Sequence, residues 1–289
     1  MRGRSLPWIA AGALVLAALV LGGPASAGVR TASRPYACSP ALRAPGPAGR
    51  AELVTASLGA TRATLAARSG GGLAQVLAGL RVVVRGPSAT VVRPVPKVVT
   101  YLLTRGSQVC RVAGTPAPSV IVLAYSGGAH CCDSALGFAA SATGVARPLA
   151  RVDLADFAAL RSDRGHVVVR AGEGAFPYTL DNYAMSSEPI LLESFDGRAF
   201  VNVTRDYPDL VRADARTWDR LFARYPSDLS YLAGWVADES LLGRGASAWR
   251  RVATLRSEGR LHGTVGYPSG RGFERQLRAI LRARHYPSS

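Results

Sequence analysis

The stretch SVIVLAY at Ser119–Tyr125 predicts the most deeply buried β-strand of the chain. It carries no charged side chain and is rich in β-branched residues, which fit the pleated surface of a sheet. Pro118 precedes it and Gly127-Gly128 follow it, so turn signals bound the run on both sides. We expect the surrounding part of the chain to be built from β-strands that pack around this one.

Shorter runs with the two-residue period of a half-buried strand lie on both sides of it. Alternating Leu, Val and Thr around Gly59 predict a hairpin over Ala51–Ser69. Asp196-Gly197 is a strong hairpin signal between two further runs. The predicted strands are Arg81–Arg85, Ala89–Val95, Val98–Leu103, Gln108–Val112, Leu136–Ala140, Val167–Val169, Ile190–Phe195 and Ala199–Val203.

From about Thr204 the apolar residues follow a helical period instead. The first helix carries an apolar stripe at 4-3-4-3 spacing, formed by Val211, Ala215, Trp218, Phe222 and Tyr225. Three more helices are predicted, from about Ser227 to Gly243, around Trp249–Ala253 and over Phe273–Leu281. We expect their aromatic stripes to be packing surfaces rather than ligand sites. The chain is therefore predicted to be α+β, with an N-terminal antiparallel β-rich region followed by about four helices.

The N-terminus has the three features of a bacterial secretory signal, in the required order. Arg2 and Arg4 precede the apolar centre Trp8–Leu21, and Ala25-Ser26-Ala27 offers a cleavage site after Pro24. We expect an extracytoplasmic protein, secreted or in the cell envelope. If the signal is not cleaved, it becomes an N-terminal membrane anchor, although its apolar centre is shorter than the roughly 20 residues that span a bilayer comfortably.

Composition divides the chain into four predicted segments. The signal covers 1–27, an extended Pro/Ala-rich arm covers 28–50, a β-rich domain covers 51–204, and a helical region packed on that domain covers 205–289.

The formal net charge is +16, and Lys97 is the only lysine, so almost all of the positive charge is arginine. The arginines are scattered and accompany no recognisable nucleic-acid-binding module, so nucleic acid is not an expected partner. An Arg-rich surface outside the cytoplasm would instead attract anionic envelope polymers or lipid headgroups.

Four cysteines in an exported chain predict disulfides: Cys38, Cys110, Cys131 and Cys132. A Cys38–Cys110 bond would hold the Pro/Ala-rich arm and leave Cys131–Cys132 as a strained vicinal disulfide, because neighbouring Cα atoms lie only about 3.8 Å apart. A crossed pairing, in which Cys38 and Cys110 each bond one of the adjacent cysteines, remains open. A third alternative makes His130, Cys131 and Cys132 ligands of zinc or copper, but adjacent side chains point in different directions and chelate poorly together.

Directly after SVIVLAY comes the most distinctive string of the chain, SGGAHCCD at Ser126–Asp133. It resembles the GGAHCC motif of exported bacterial proteins of the FG-GAP/VCBS-like type, many of them uncharacterised. Phe176-Pro-Tyr178, Asn182–Pro189 and Phe200–Pro208 resemble that group's F-x-Y, Y-A-x-S-x-x-P and F-x-x-V-T-R-x-Y-P segments. The resemblance runs from about Ser119 to the C-terminus and implies an extracytoplasmic, propeller-like array of sheets with no established catalytic role.

One departure from this pattern concerns calcium. Relatives often carry a D-x-D-x-D-G loop before the F-x-Y segment, whereas Arg161–His166 reads RSDRGH here. A single carboxylate between two arginines is a poor calcium site, so no metal or other cofactor is expected.

The string also has a purely structural interpretation. Two glycines permit positive φ or a close backbone approach, so Ser126, Gly127, Gly128, His130 and Asp133 are expected to form a sharp turn, locked by a disulfide.

We therefore expect a non-catalytic binding or structural module of the envelope, without catalytic residues and without a deep polar cleft. One alternative is an extracytoplasmic hydrolase that uses His130 or His166, although no G-x-S-x-G, S-x-x-K or H-E-x-x-H motif occurs. Another is a thiol-redox protein centred on His130, Cys131 and Cys132.

Overall fold

The computed structural model describes residues 38–39, 51–58, 61–70, 76–85, 90–94, 101–102, 106–112, 118–125, 133–139, 150–155, 158–163 and 166–287. All of them belong to one compact unit, Arg34–Ser289. The signal segment, most of the arm and residues 126–132 lie outside the described residues.

Among the described residues, thirteen strands precede four helices. The strands are β1 Ala51–Leu58, β2 Thr61–Gly70, β3 Val76–Arg85, β4 Thr90–Pro94, β5 Tyr101–Leu102, β6 Gln108–Cys110, β7 Ser119–Tyr125, β8 Asp133–Ala139, β9 Ala150–Asp153, β10 Ala159–Asp163, β11 His166–Gly172, β12 Ile190–Phe195 and β13 Phe200–Asn202. The helices are α1 Pro208–Arg224, α2 Leu229–Leu241, α3 Gly245–Ser257 and α4 Gly270–Ala283.

The strands form three antiparallel sheets. The first sheet contains β1 to β4 in chain order, and the third contains β10 to β13 in chain order. In the second sheet β7 lies between β8 and the short strands β5 and β6, and β9 follows β8. Residues Ser119–Ala124 of β7 are all buried, as the unbroken apolar run predicts.

The second and third sheets share an apolar core. Ile121 and Leu123 of β7 pack in one cluster with Val167 and Val169 of β11 and with Leu191 of β12. Phe195 at the end of β12 lies against Gly137 of β8, where an added Cβ would be only 2.5 Å from the ring. The absence of a side chain at Gly137 therefore allows the two sheets to approach at this point.

The opposite face of the third sheet packs on the helices. Val168, Ile190 and Leu192 form a second cluster with Tyr207 and with Val211 of α1. Alternate residues of β11 and β12 thus point to different layers, which follows from the two-residue period of a strand. The third sheet is consequently buried on both faces.

The structure confirms the predicted α+β organisation, with antiparallel sheets followed by four helices. It also confirms the hairpin at Asp196-Gly197, where Gly197 has φ of 90° and the Asp196 carboxylate accepts hydrogen bonds from the backbone N–H groups of Arg198 and Ala199. The sequence pattern does not predict two of the strands, β9 and β10, because neither has a long apolar run. The described strands form neither a closed barrel nor a propeller. The propeller-like array that the resemblance implies is therefore not seen among them and stays a prediction.

One of the cysteine pairings that the sequence left open is present. Cys38 and Cys110 form a disulfide across 72 residues of sequence. An isolated β-bridge joins the same two residues, and Ser39 N–H donates to Val109 O at 2.8 Å. The bond excludes the crossed pairing, while Cys131 and Cys132 lie outside the described residues.

We predict that Gly137→Ala destabilises the protein by about 2 kcal/mol, because the new methyl group overlaps the Phe195 ring and overpacked sites cost about 1–3 kcal/mol. Chemical denaturation measures the change. Gly174→Ala is the control, since an added Cβ there would have its nearest neighbour at 3.5 Å, an ordinary contact. Equal stability of the two variants would contradict the close packing of β8 on Phe195.

We predict that Cys38→Ala with Cys110→Ala lowers the free energy of unfolding by about 4 kcal/mol, the chain-entropy value for a loop of this length. Denaturation of the double variant, and of the wild type with and without reductant, measures the loss. A loss below about 1 kcal/mol in both comparisons would show that this bond does not hold the fold.

Candidate ligand pocket

An open pocket of about 350 Å³ lies where the third sheet, α1 and the connection between β11 and β12 meet. Its lining combines charged, aromatic and small side chains: Arg170, Ala171, Gly172, Tyr183, Ala184, Ser186, Glu188, Ile190, Asp214 and Trp218. Most of them come from the end of β11 and from the Y-A-x-S-x-x-P segment. This pocket is the candidate functional site.

The connection between β11 and β12 begins with a buried anchor and a strained tyrosine. Phe176 is completely buried in the helical core. Two residues later Tyr178 has φ of +61°, which is uncommon for a residue with a side chain, and its side chain is 53% exposed. The Tyr178 ring lies 5.4 Å from the ring of Tyr183, centroid to centroid, so an aromatic pair borders the pocket. Strained backbone of this kind is concentrated at functional sites.

Polar side chains fix the next part of this connection. A 3₁₀ helix over Tyr183–Met185 starts at Asn182, whose side chain accepts from Met185 N–H. The Ser186 hydroxyl accepts from Tyr178 N–H and lies 2.9 Å from the carbonyl oxygen of Asn182, to which it donates. Ser186 therefore holds the loop closed, and its oxygen is already committed to backbone groups.

The same segment is fastened to α2 and to the end of β11. Ser187 is buried and its N–H donates to the Ser230 hydroxyl of α2 at 2.6 Å. Pro189 O accepts from Glu173 N–H at 2.8 Å. These bonds set the position of the pocket wall relative to the helices.

Glu188 depends on the glycine at the end of β11. A Cβ added to Gly172 would lie 2.5 Å from both Cβ and Oε2 of Glu188. The Glu188 side chain therefore folds across the bare backbone of Gly172, and any larger residue there would displace the carboxylate from the pocket wall.

Asp214 forms the wall on the side of α1. Its Oδ2 accepts from Ile190 N–H at 3.0 Å and from Trp218 Nε1–H at 2.8 Å. Burial raises the pKa of Asp214 above its usual range, while these donors and the charge of Arg170 act in the opposite direction. Trp218 is itself stacked on Tyr231, with a centroid separation of 6.0 Å.

Asp238 of α2 lies behind Asp214. It is completely buried, and its carboxyl group makes a side-chain hydrogen bond with that of Asp214. Burial, followed by the neighbouring Asp214 carboxylate, raises the pKa of Asp238 well above its usual range. The two carboxyl groups therefore form a coupled pair, in which Asp238 is the more deeply buried member.

The strand-to-helix corner after β13 sets the position of α1. Thr204 Oγ1 accepts from Leu192 N–H at 2.9 Å, Tyr207 is buried, and Pro208 occupies the first turn of α1, where proline is tolerated. The F-x-x-V-T-R-x-Y-P segment is thus structural. It directs α1 so that Asp214 reaches the first residue of β12.

A second group of buried acids lies where the C-terminus meets the third sheet. Glu173 is 3% exposed and pairs with Arg284, with 2.9 Å between Oε1 and Nε. Burial, and then the charge of Glu173, raises the pKa of Glu193 from 4.5 to about 7, against the lowering effect of Arg284. Arg284 supplies the opposite charge to this group, and neither acid lines the pocket.

The residues of the predicted turn are mostly outside the described part of the chain. This applies to Ser126, Gly127, Gly128 and His130, and to Cys131 and Cys132. Asp133 is described, and it begins β8 as a buried residue whose Oδ2 accepts from Ala158 N–H at 2.7 Å. It joins the start of β8 to the chain before β10.

The pocket is open and lined by three charged residues, so the expectation of no deep polar cleft stays a prediction. The prediction that the helix stripes serve only for packing holds for Val211, Ala215 and Phe222, which are buried. Trp218 is half-buried, stacks on Tyr231 and also lines the pocket, so for this residue the expectation stays a prediction. The Trp218–Asp214 spacing of four residues places both on one face of α1, a signal that the sequence contained.

The clearest Arg-rich surface of the described residues lies on α4. Arg271, Arg275, Arg278 and Arg282 are exposed at 4-3-4 spacing, which is one face of a helix. The guanidinium of Arg278 lies 3.7 Å from the centroid of the Trp249 ring. Anionic envelope polymers or lipid headgroups stay a prediction for this surface.

Two absences hold for the described residues alone. None of their helices has the length and hydropathy to cross a membrane. Within the same residues, no group of three or more His, Cys, Asp or Glu side chains has the arrangement of a metal site.

No protein-family model, curated protein or solved structure matches this chain. The resemblance to FG-GAP/VCBS-like proteins therefore stays a prediction.

We predict that Glu193→Gln raises the free energy of unfolding more at pH 8 than at pH 4.5, by about 3 kcal/mol. The folded protein holds the Glu193 proton more tightly than the unfolded chain, since the pKa is raised to about 7. Wild-type stability therefore declines between pH 4.5 and 7 as this buried carboxyl ionises, whereas glutamine removes that cost. Denaturation at several pH values measures the difference.

Glu258→Gln is the control, because Glu258 is exposed and paired with the exposed Arg260. A Glu193→Gln effect that is as flat with pH as that of the control would contradict the raised pKa.

Proposed function

We propose that this protein is an exported, disulfide-containing module that binds a small polar molecule outside the cytoplasm without transforming it. The observation that carries this function is the pocket, which brings charged and aromatic side chains together in about 350 Å³. Sites for small molecules are typically concave, partly apolar and supplied with a few fixed polar groups.

The way in which these side chains are held supports binding. Asp214 is fixed by two N–H donors, Glu188 is laid across Gly172, and the loop carrying Tyr183 is closed by the Ser186 hydroxyl. A wall that is rigid before the ligand arrives lowers the entropic cost of binding. The exposed, strained Tyr178 beside Tyr183 gives the entrance an aromatic border.

Export rests on the signal-like Met1–Ala27 and agrees in chemistry with the Cys38–Cys110 bond, because disulfides persist mainly in oxidising compartments. Binding in the pocket does not require a propeller-like arrangement of the sheets, which remains a proposal from the sequence resemblance. The alternatives are a hydrolase that uses His130 or His166 and a thiol-redox protein centred on His130, Cys131 and Cys132. They stay proposals from the sequence, and His130, Cys131 and Cys132 lie outside the described residues.

The function is tested in two steps on the full chain expressed with its own signal in a bacterium. First, N-terminal sequencing of the protein from the extracytoplasmic fraction is expected to start at Gly28. Second, thermal unfolding is measured against a panel of amino acids, dipeptides, monosaccharides, disaccharides and sugar phosphates. At least one class is expected to raise the midpoint, since ligands stabilise the state that binds them.

Ala184→Trp supplies the control for the site. Ala184 is exposed and lines the pocket, so an indole there fills it, whereas Ala213→Trp places the same side chain on an exposed part of α1 outside the lining. Stabilisation should be lost in the first variant and kept in the second. No stabilisation of the wild type by any class, or equal stabilisation of both variants, would contradict binding in this pocket.

A further inference from the structure

The charges that line the pocket are of opposite sign. Arg170 contributes a guanidinium from the end of β11, and Asp214 and Glu188 contribute carboxyl groups. Within the described residues Arg170 forms no ion pair, although its charge is close enough to act on Asp214. A guanidinium and a carboxylate held apart in one small pocket leave space for a ligand between them.

Each charged side chain belongs to a different element, and the bonds that hold these elements keep the charged groups apart. Arg170 belongs to a strand that is paired on both sides, by β10 and by β12. Asp214 is tied to Ile190 N–H and to the Trp218 indole. Glu188 lies over Gly172, the last residue of β11, which pairs with Ile190 of β12. The separation of charge is therefore built into the framework.

This arrangement discriminates between ligands by their charges. A simple anion would meet Arg170 but also two carboxyl groups, and a simple cation would meet the carboxyl groups but also Arg170. A ligand that carries both an ammonium and a carboxylate satisfies both sides with charge-assisted hydrogen bonds, which are the strong ones. The remaining walls, Ala171, Ala184 and Ile190 with the Trp218 and Tyr183 rings, suit a small apolar body between the two ends.

We propose that the pocket selects a small zwitterion, an amino acid or short peptide, with its carboxylate on Arg170 and its ammonium on Asp214 and Glu188. This rests on the proposed function, since it names the ligand class of the same site. A volume of about 350 Å³ leaves room for a dipeptide.

The test compares three probes by isothermal titration calorimetry on the full, oxidised protein. L-alanyl-L-alanine carries both charges, its N-acetyl derivative keeps only the carboxylate, and its C-terminal amide keeps only the ammonium. The wild type is expected to bind the zwitterion at least tenfold more tightly than either blocked form, because each loses one charged hydrogen-bonding end.

Variants of the pocket assign each end of the ligand. In Arg170→Gln the zwitterion should lose its advantage over the amide, because the carboxylate has no partner. In Glu188→Gln and in Asp214→Asn it should lose its advantage over the N-acetyl form. Two Asp/Glu variants are used so that the result does not depend on Asp214→Asn folding normally, and thermal unfolding checks each of them.

The matched controls are Arg216→Gln and Glu258→Gln, which remove the same charges from exposed positions outside the pocket and should leave all three affinities unchanged. Equal binding of a blocked form, or zwitterion binding that survives the pocket variants, overturns the zwitterion assignment. Binding of a sugar that Ala184→Trp abolishes also overturns it, while leaving the proposed binding function intact. Absence of binding by any compound overturns both.

Discussion

Burial of the third sheet on both faces is the constraint on which the rest of the structure depends. One face of β11 and β12 packs on the second sheet, and the other packs on α1 through Val168, Ile190 and Leu192. Because both faces of β11 and β12 are buried, the ends of these strands are held in position by packing. The connection between them is too long to be a simple turn, and it is tied to α2 and to Glu173 instead. The pocket forms at that edge, where sheet, helix and connection meet.

The polar groups near this edge divide into two kinds. Those of the framework are satisfied internally, such as Ser186 with backbone groups and Glu173 with Arg284. Those of the pocket wall are fixed in place without being neutralised by one another, as Arg170 and Asp214 are. Asp238 connects the two kinds, because its buried carboxyl lies behind Asp214 and is coupled to it. In a binding function the polar groups of the pocket wall would contact the ligand, and those of the framework would hold the wall in place.

The layers of the fold could be predicted from sequence because they follow from period and propensity. The β7 strand and the β12–β13 hairpin appear at the predicted residues, and the change to helices near Thr204 is present. The pocket could not be predicted in this way. Arg170 and Asp214 are far apart in sequence, and only the packing of α1 on β12 brings them to one pocket. The requirement for glycine at position 172 follows from the position of the Glu188 side chain. The Y-A-x-S-x-x-P segment is recognisable in the sequence only as a resemblance. Its position in the pocket wall is visible only in the folded structure.

The central claim is that a small polar ligand occupies the space between Arg170, Asp214 and Trp218. The most direct measurement is the shift of the indole N–H resonances in ¹⁵N-labelled protein during titration with L-alanyl-L-alanine and then with the other compounds of the panel. Trp218 lines the pocket, while Trp235 and Trp249 belong to the helical core. In the protein that begins at Gly28, and so lacks Trp8, we expect the Trp218 signal, assigned with Trp218→Phe, to move and saturate while the signals of Trp235 and Trp249 stay. A Trp218 signal that no compound moves, or three signals that move together, would contradict it.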